Sequence, residues 1–278
     1  MAARWIGGTV TISSCTGWEG DAAPRPSGNG SVTIADWVQV GRYAALLDPL
    51  PTVCCDFQKV DCAPRAGFGN GSVTIADWVQ AGRYAAVLDP LTPVGGPCAS
   101  RESAQTEVDD RDSREVRVAT TVSILEATIV RGQSGTVAVQ MQSQGLENAV
   151  GFSLSWDAAQ LSYTGLALGP AITGATLNTN TSQAADGRVG VAIAMPPGQT
   201  FPQGAVTILM VTFTTAADAP DSAQITFADQ PIRREIADVT AGVVHGDWVP
   251  GTITVSAPTA SWYRDADGDG YGNPAVTT

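Results

Sequence analysis

Apolar and polar residues follow two different periods along this chain, and the change of period divides it into two parts. Up to about residue 98, apolar residues recur at helical spacing in two short segments. Between about residues 117 and 256, apolar and polar residues alternate, as they do in strands with one buried face. The pattern therefore predicts a mainly β protein that begins with a small α-helical module.

The helical spacing belongs to an internal repeat. Residues 28–50, GNGSVTIADWVQVGRYAALLDPL, return almost unchanged as residues 69–91, so this part of the chain is a duplicated structural unit. The two copies differ only at Val40/Ala81 and Leu46/Val87. Each copy reads as a polar loop followed by a helix. In the first copy, Thr33 and Asp36 have the spacing of a capping box, and Asp48-Pro49 is expected to end the helix.

Apolar side chains cover one side of the predicted helix, so we expect the two copies to pack against each other. The residues on that side are Ile34, Trp37, Val38, Gly41, Ala44 and Ala45. The contact should bury Trp37 and its counterpart Trp78. Inside a helix Gly41 costs about 1 kcal/mol relative to alanine, so we expect it to allow the close approach of another backbone segment.

Cysteine is confined to the N-terminal part, which predicts a module stapled by disulfides. The five residues are Cys15, Cys54, Cys55, Cys62 and Cys98. Their spacing lacks the C-x-x-C pairs of zinc and redox sites, so disulfides formed in an oxidising compartment are the expected use. Cys15 with Cys54 or Cys55 would close one loop, and Cys62 with Cys98 would close the next. We expect the remaining thiol at the vicinal pair, either buried or bonded to another molecule.

Residues 19–92 resemble dockerin repeats, the paired loop–helix units of bacterial extracellular assemblies. The resemblance rests on the loop with glycine before each helix and on Arg42-Tyr43 and Arg83-Tyr84 near its end. In that family each loop binds calcium, as the first half of an EF-hand does. The resemblance therefore implies ligands in both loops of this chain. The matching residues are Asn29 and Asp36 in the first loop, and Asn70 and Asp77 in the second.

The start of each loop departs from the dockerin pattern. Arg25 and Ala66 stand where the family has its first calcium ligand, so the missing carboxylate would come from Asp21 or Asp61. The alternative is that Asp36 and Asp77 only complete capping boxes, and that disulfides replace the metal. Dockerins bind partners through three positions of each repeat. These correspond here to Ile34, Ala35 and Arg42, and to Ile75, Ala76 and Arg83, although the isoleucines would serve equally well as core residues.

A charged linker at residues 99–116 separates the module from the β domain, because this segment mixes both signs of charge and lacks apolar periodicity. About nine strands are predicted after it, and residues 205–215 are apolar enough for a central strand buried on both faces. The alternating sets are Val122/Ile124, Val137/Val139/Met141, Phe152/Leu154/Trp156, Val189/Val191/Ile193/Met195 and Ile253/Val255. A jelly-roll-type β-sandwich is the predicted architecture.

Residues 117–256 resemble a cohesin, the β-sandwich that receives dockerins. The resemblance rests on residues 150–169, on GRVGVAIAM followed by GAVTILMVTF, and on the final GTITVS. It implies a non-catalytic extracellular binding domain. The alternative is a carbohydrate-binding module in which exposed aromatic residues such as Trp156, Tyr163 or Trp248 form a stacking platform for polysaccharide. Alternation with Phe152 and Leu154 suggests that Trp156 points inward, which would remove a main member of that platform.

The last segment, residues 257–278, places three aspartates at alternate positions before Gly270. They are Asp265, Asp267 and Asp269, and the D-x-D-x-D-G run resembles the calcium repeats of thrombospondin type 3. This segment is predicted to bind calcium, and the alternative is a disordered acidic tail. Asn29, Asn70 and Asn180 also fit the N-glycosylation sequon.

Charge and composition exclude several classes of function. The formal net charge is −12 and Lys59 is the chain's single lysine, so no basic stripe exists for nucleic acid. No apolar run reaches the length of a membrane span. The single histidine, His245, lies in a turn-like stretch and cannot build a multi-histidine metal site. No nucleophile elbow, P-loop or dinucleotide fingerprint is present, so an enzyme is not expected.

A chain that resembles a dockerin at one end and a cohesin at the other carries a plug and a socket. Complementary surfaces related head to tail generate rings or open filaments. The sequence therefore predicts an extracellular or cell-surface assembly protein whose partners are its own copies or other cohesin- and dockerin-bearing proteins. The linker is long enough that the plug and the socket could also close within one molecule.

Overall fold

A computed structural model describes residues 15–96 and 119–258. Cys98, the charged linker and the predicted calcium ligands Asp265, Asp267 and Asp269 lie outside the described residues. Within them, a helical module of residues 15–96 is followed by a β-sandwich, which confirms the predicted fold class.

The module consists of two repeat helices and a connecting helix that the pattern did not predict. They are α1 (Ile34–Ala44), α2 (Cys54–Val60) and α3 (Ile75–Ala85), and a 3₁₀ turn (Arg65–Gly67) precedes α3. Thr33 and Thr74 cap α1 and α3, each in a complete capping box with the aspartate three residues later. The predicted end of α1 at Asp48-Pro49 is wrong. The helix ends at Ala44, and Asp48 instead accepts hydrogen bonds from Arg42 and Gln39.

The two repeat helices pack on each other through their tryptophans, as predicted. The rings of Trp37 and Trp78 stack with centroids 5.7 Å apart. Gly41 serves a close approach, but of an indole rather than a backbone, because a Cβ there would lie 2.4 Å from the Trp78 ring. Ile34 and Val38 do not join the buried side of α1, and they remain 59% and 46% exposed.

Within residues 119–258, thirteen strands form the two sheets of the sandwich, more than the roughly nine predicted. The strands are β1 (Thr120–Ile124), β2 (Ala127–Val130), β3 (Ser134–Ser143), β4 (Glu147–Trp156), β5 (Leu161–Leu168), β6 (Thr176–Asn180), β7 (Arg188–Ala194), β8 (Gly204–Thr215), β9 (Ser222–Ala228), β10 (Glu235–Asp238), β11 (Val243–Val244), β12 (Gly246–Val249) and β13 (Gly251–Ser256). One sheet has the order β12-β1-β3-β8-β5. In the other, β4 pairs with β7 on one side and with β10 and β9 on the other. The strand β6 pairs with β7, and β13 and β2 follow β9.

Alternating side chains of both sheets meet in one core, as the sequence pattern predicts. Val139, Phe152 and Phe213 are fully buried there. The expectation for residues 205–215 is wrong, because β8 alternates between buried and half-buried positions. Two strands, β4 and β7, are buried almost throughout, since the helical module covers their outer faces.

The disulfide pairing agrees with the prediction only in part. Cys15 bonds to Cys55, one of the two expected alternatives, and Cys54 is also in a disulfide. The predicted pairing of Cys62 with Cys98 and the predicted odd thiol at the vicinal pair are both wrong. Among the described cysteines Cys62 is the free one, and its buried thiol donates to the backbone oxygen of Asp77 at 3.3 Å.

Candidate docking interface

Helix α3 lies against the outer face of the sheet that contains β4, β7 and β10. Because side chains alternate along a strand, Phe152 points into the sandwich core and its neighbour Gly151 points outward. The outward positions here carry small residues. They are Ala149, Gly151, Gly190, Ala192, Ala194 and Ala237. A Cβ added at Gly151 would lie 2.6 Å from Cγ1 of Ile75, so the small residues let the helix reach the sheet.

Apolar side chains of α3 fill this contact. Ile75 and Val79 are each 2% exposed, and they join one buried cluster with alanines of the sheet and with Ile232. Burial of an isoleucine or valine side chain is worth about 1.5–3 kcal/mol. The module and the sandwich therefore share a continuous apolar interface.

Three polar contacts surround the apolar interface. Glu235 accepts a hydrogen bond from the backbone N–H of Ala76 at 3.2 Å, where a carboxylate also suits the positive end of the helix. Arg83 donates to the backbone oxygen of Val239 at 2.5 Å. Asn180 donates its amide to the backbone oxygens of Ala45 and Leu46 at 3.2 and 3.3 Å. Asn180 is 6% exposed in this position, so its predicted use as a glycosylation acceptor is not compatible with the docked module.

The two repeats present the same surface to different surroundings. Ile75 and Ala76 of the second repeat, which the dockerin resemblance implies as partner-binding residues, lie in the interface. Their counterparts Ile34 and Ala35 are exposed. The Arg42 side chain is likewise 43% exposed, whereas that of Arg83 is 17% exposed. The structure thus brings one of the two implied surfaces to the sandwich and leaves the other uncovered.

In each repeat, an aspartate that follows the helix orients the arginine in the last turn of that helix. Arg83 makes a two-pronged contact with Asp89, with both nitrogen–oxygen distances at 2.8 Å, and Arg42 makes the same contact with Asp48. The hydrogen bonds from the guanidinium groups lower the pKa of each aspartate to about 2. This contact holds the Arg83 guanidinium where it meets the sandwich backbone.

The carboxylates that were expected to bind calcium accept backbone hydrogen bonds. Asp21 accepts from the N–H groups of Asn29 at 2.8 Å and Gly30 at 3.0 Å, and Asp36 accepts from Ala22, Ala23 and Thr33. Asn29 itself accepts from the N–H of Ser31. The first loop is therefore closed by hydrogen bonds to its aspartates.

The second loop repeats this arrangement. Asp61 accepts from Asn70 and Gly71, and Asp77 accepts from the N–H groups of Cys62, Ala63 and Thr74. Burial raises the pKa of Asp61 to about 6. Across residues 15–96 and 119–258, no three His, Cys, Asp or Glu side chains are grouped so that they could hold a metal ion.

The aromatic residues predicted as a sugar-stacking platform are not an exposed row. Trp156 is 7% exposed and donates its indole N–H to the backbone oxygen of Leu161. Tyr163 packs beside it, and Trp248 packs against Phe152. This prediction is wrong because the alternation of β4 turns Trp156 inward.

Several residues of the interface were missed by the sequence analysis. Glu235 and Val239 carry no local signal of a contact that lies far away in sequence. The small outward residues of β4 and β7 were visible as a run of Gly, Ala and Ser between apolar residues, and such a run indicates a covered sheet face. His245 is exposed, as expected of a surface residue. None of the helices in the described ranges has the length and apolar character that a membrane span requires.

Comparison with known proteins gives similarity at the level of fold. No family model matches the chain, and no curated protein matches it. Among solved structures, the seventh ScaB type I cohesin of Pseudobacteroides cellulosolvens is 16% identical over 52% of this chain and 97% of its own, with a TM-score of 0.45. The sixth cohesin of Acetivibrio cellulolyticus scaffoldin B, solved with a Cel5 dockerin, is 18% identical over 50% of this chain and 99% of its own, with a TM-score of 0.44. A non-cellulosomal cohesin of Archaeoglobus fulgidus is 17% identical over 50% of this chain and 91% of its own, with a TM-score of 0.42.

Proposed function

We propose that this protein is a non-catalytic extracellular assembly protein in which the helical module is a plug and the β-sandwich is its socket. The observation that carries the proposal is the docking of α3 on the outer face of β4, β7 and β10. Apolar burial at Ile75, the hydrogen bond to Glu235 and the hydrogen bond from Arg83 together form a specific contact. The disulfide between Cys15 and Cys55 supports an oxidising location.

The contact is made within one chain, and the same contact made between chains would link copies head to tail. A linker keeps the plug near its own socket at high effective concentration, so the closed form is favoured in dilute protein. At high local concentration, exchange of plugs between neighbours would produce rings or filaments. Self-association is therefore a concentration-dependent alternative to closure.

The exposed surface of the first repeat, which we call the first-repeat face (Ile34, Ala35, Val38 and Arg42), offers a second route. Its residues are identical to those that dock in the second repeat. The helix differences, Val40 and Ala81, are both fully buried inside the module and do not change either surface. We infer that the first-repeat face binds a second cohesin-like sandwich, supplied by another copy or by a partner protein.

Two complementary variants test the plug and the socket. Gly151→Val places a branched side chain where even a Cβ would overlap Ile75, so it closes the socket and leaves the plug free. Ile34→Asp/Ile75→Asp disables both faces of the plug and leaves the socket free. The two variants are mixed over a concentration series, in calcium and in chelator, and are followed by size exclusion with light scattering.

We expect each variant alone to be monomeric and the mixture to form a one-to-one complex. No complex at any concentration would overturn the plug-and-socket proposal. Wild-type protein mixed with Ile34→Asp/Ile75→Asp tests the first-repeat face separately, because the second repeat of the wild type is already docked. A complex that disappears in Ile34→Asp supports that face, and its absence, when the first mixture does form a complex, refutes only that face.

A further inference from the structure

The first loop contains a buried ion pair with a residue of the helix that connects the two repeats. Lys59, in the last turn of α2, is 9% exposed, and its Nζ lies 3.1 Å from Oδ2 of Asp21, which is fully buried. The same ammonium donates to the backbone oxygen of Ser27. The chain's single lysine therefore reaches from the segment between the repeats into the loop of the first repeat.

The groups around the Lys59 ammonium are of the kinds that bind a calcium ion. A carboxylate oxygen and a backbone carbonyl are ordinary calcium ligands, and an ammonium with three donors satisfies the same oxygen atoms. Lys59 also packs closely against the backbone at Gly17, where an added Cβ would lie 3.1 Å from Cε and 3.3 Å from Nζ of the lysine. The other carboxylate of the loop, Asp36, is occupied by three backbone N–H groups and by the Thr33 hydroxyl. The first loop does not fit calcium while Lys59 is in place.

We propose that the Lys59 ammonium is the built-in cation of the first loop and replaces the calcium ion that the dockerin resemblance implies there. The fold of this repeat is then independent of calcium. Asp21 and Lys59 hold the loop through their mutual contact, and removal of either leaves a buried charge without its partner.

The second repeat differs at the equivalent position. Lys59 stands two residues before Asp61, and Glu19 stands two residues before Asp21. Glu19 is buried, with one carboxylate oxygen bonded to the Tyr84 hydroxyl at 3.1 Å and the other without a hydrogen-bond partner. The residue that reaches the second repeat is therefore the acid Glu19, whereas the equivalent residue that reaches the first repeat is Lys59, with its ammonium group. Any calcium response of the wild-type chain arises outside the first loop.

The test compares the wild-type chain with Lys59→Ala and with Lys59→Ala/Asp21→Asn, so that the second loop and the acidic tail are the same in all three. Thermal unfolding of each is measured in chelator and in excess calcium. In chelator we expect Lys59→Ala to melt about 5–10 °C below the wild type. Calcium should raise its Tm by more than it raises the wild-type Tm, because a freed Asp21 carboxylate then takes the metal. This additional increase should be absent in the double variant.

An unchanged Tm of Lys59→Ala in chelator, or a calcium response equal to that of the wild type, would overturn the proposal. A second measurement does not depend on the folding of any variant. An amine-reactive reagent, read by mass spectrometry at the peptide that contains Lys59, should modify this lysine at least ~10-fold more slowly in native protein than in unfolded protein, with or without calcium. Rapid modification in the native state, or faster modification in calcium, would show that the ammonium does not occupy the loop.

Discussion

Gly151 is the position where a single methyl group should separate the module from the sandwich. An added Cβ would meet Cγ1 of Ile75 at 2.6 Å and Cδ1 at 3.0 Å, and it would lie 3.3 Å from Ile232. Overpacking of this kind costs about 1–3 kcal/mol, which weakens docking by about 5- to 150-fold. Because Gly151 points away from the sandwich core, Gly151→Ala should leave the stability of the sandwich unchanged or raise it by about 0.5 kcal/mol.

The assay cleaves the segment between the module and the sandwich and leaves both of them intact. A specific protease site is placed within residues 101–117, the chain is cleaved, and the dissociation constant of the two fragments is measured by calorimetry. The matched control is Gly165→Ala in β5, where an added Cβ has no neighbour within 4 Å. We expect the control to stay within about twofold of the wild type. Equal dissociation constants for the two alanine variants would refute the docking geometry derived for α3 and β4.

Three further predictions concern the module and the tail. The pKa of Asp48 and of Asp89 is lowered to about 2 in the folded state, so their contribution to stability is complete above about pH 4 and is lost as the pH falls towards 2. The urea midpoint should drop between pH 4.5 and 2.5, and less so in Asp48→Asn/Asp89→Asn. Removal of the Cys15–Cys55 disulfide, which joins residues 40 apart, should cost about 4 kcal/mol in chemical unfolding. Asp267→Asn should lower the number of calcium ions bound in calorimetry by one, and an unchanged number would argue against a calcium site in the tail.

Local signals predicted the module well because the interactions behind them are close in sequence. Thr33 and Asp36 are three residues apart, so their capping box is visible in the chain and is present in the structure. The stacking of Trp37 on Trp78 followed from the duplication, since two identical apolar faces have an obvious partner in each other. The same reasoning placed Ile34 on the packed side of α1, where the structure leaves it exposed.

Contacts between distant residues were not predictable in the same way. Alternation in a strand shows which residues share a face but does not show what covers the outer face, so the burial of β4 on both sides was missed. Cysteine spacing allowed several pairings, and only the fold showed that Cys62 is buried and free. The position of Lys59 against Asp21 depends on the path of α2, which has no periodic pattern of its own.

The amino-acid sequence by itself determined the two-part organisation, the duplicated loop–helix units, their caps and the alternating strands of the sandwich. These features depend on residues a few positions apart, and hydrophobic period and capping chemistry are sufficient to specify them. Only the tertiary structure decided which of two identical helix faces meets the sandwich and which cation holds the first loop. Because the two helix faces have the same sequence, the sequence of the repeats does not show which face docks. In the structure the small residues of β4 and β7 are covered by Ile75, whereas Ile34 stays exposed, and this outcome depends on contacts between residues far apart in the chain.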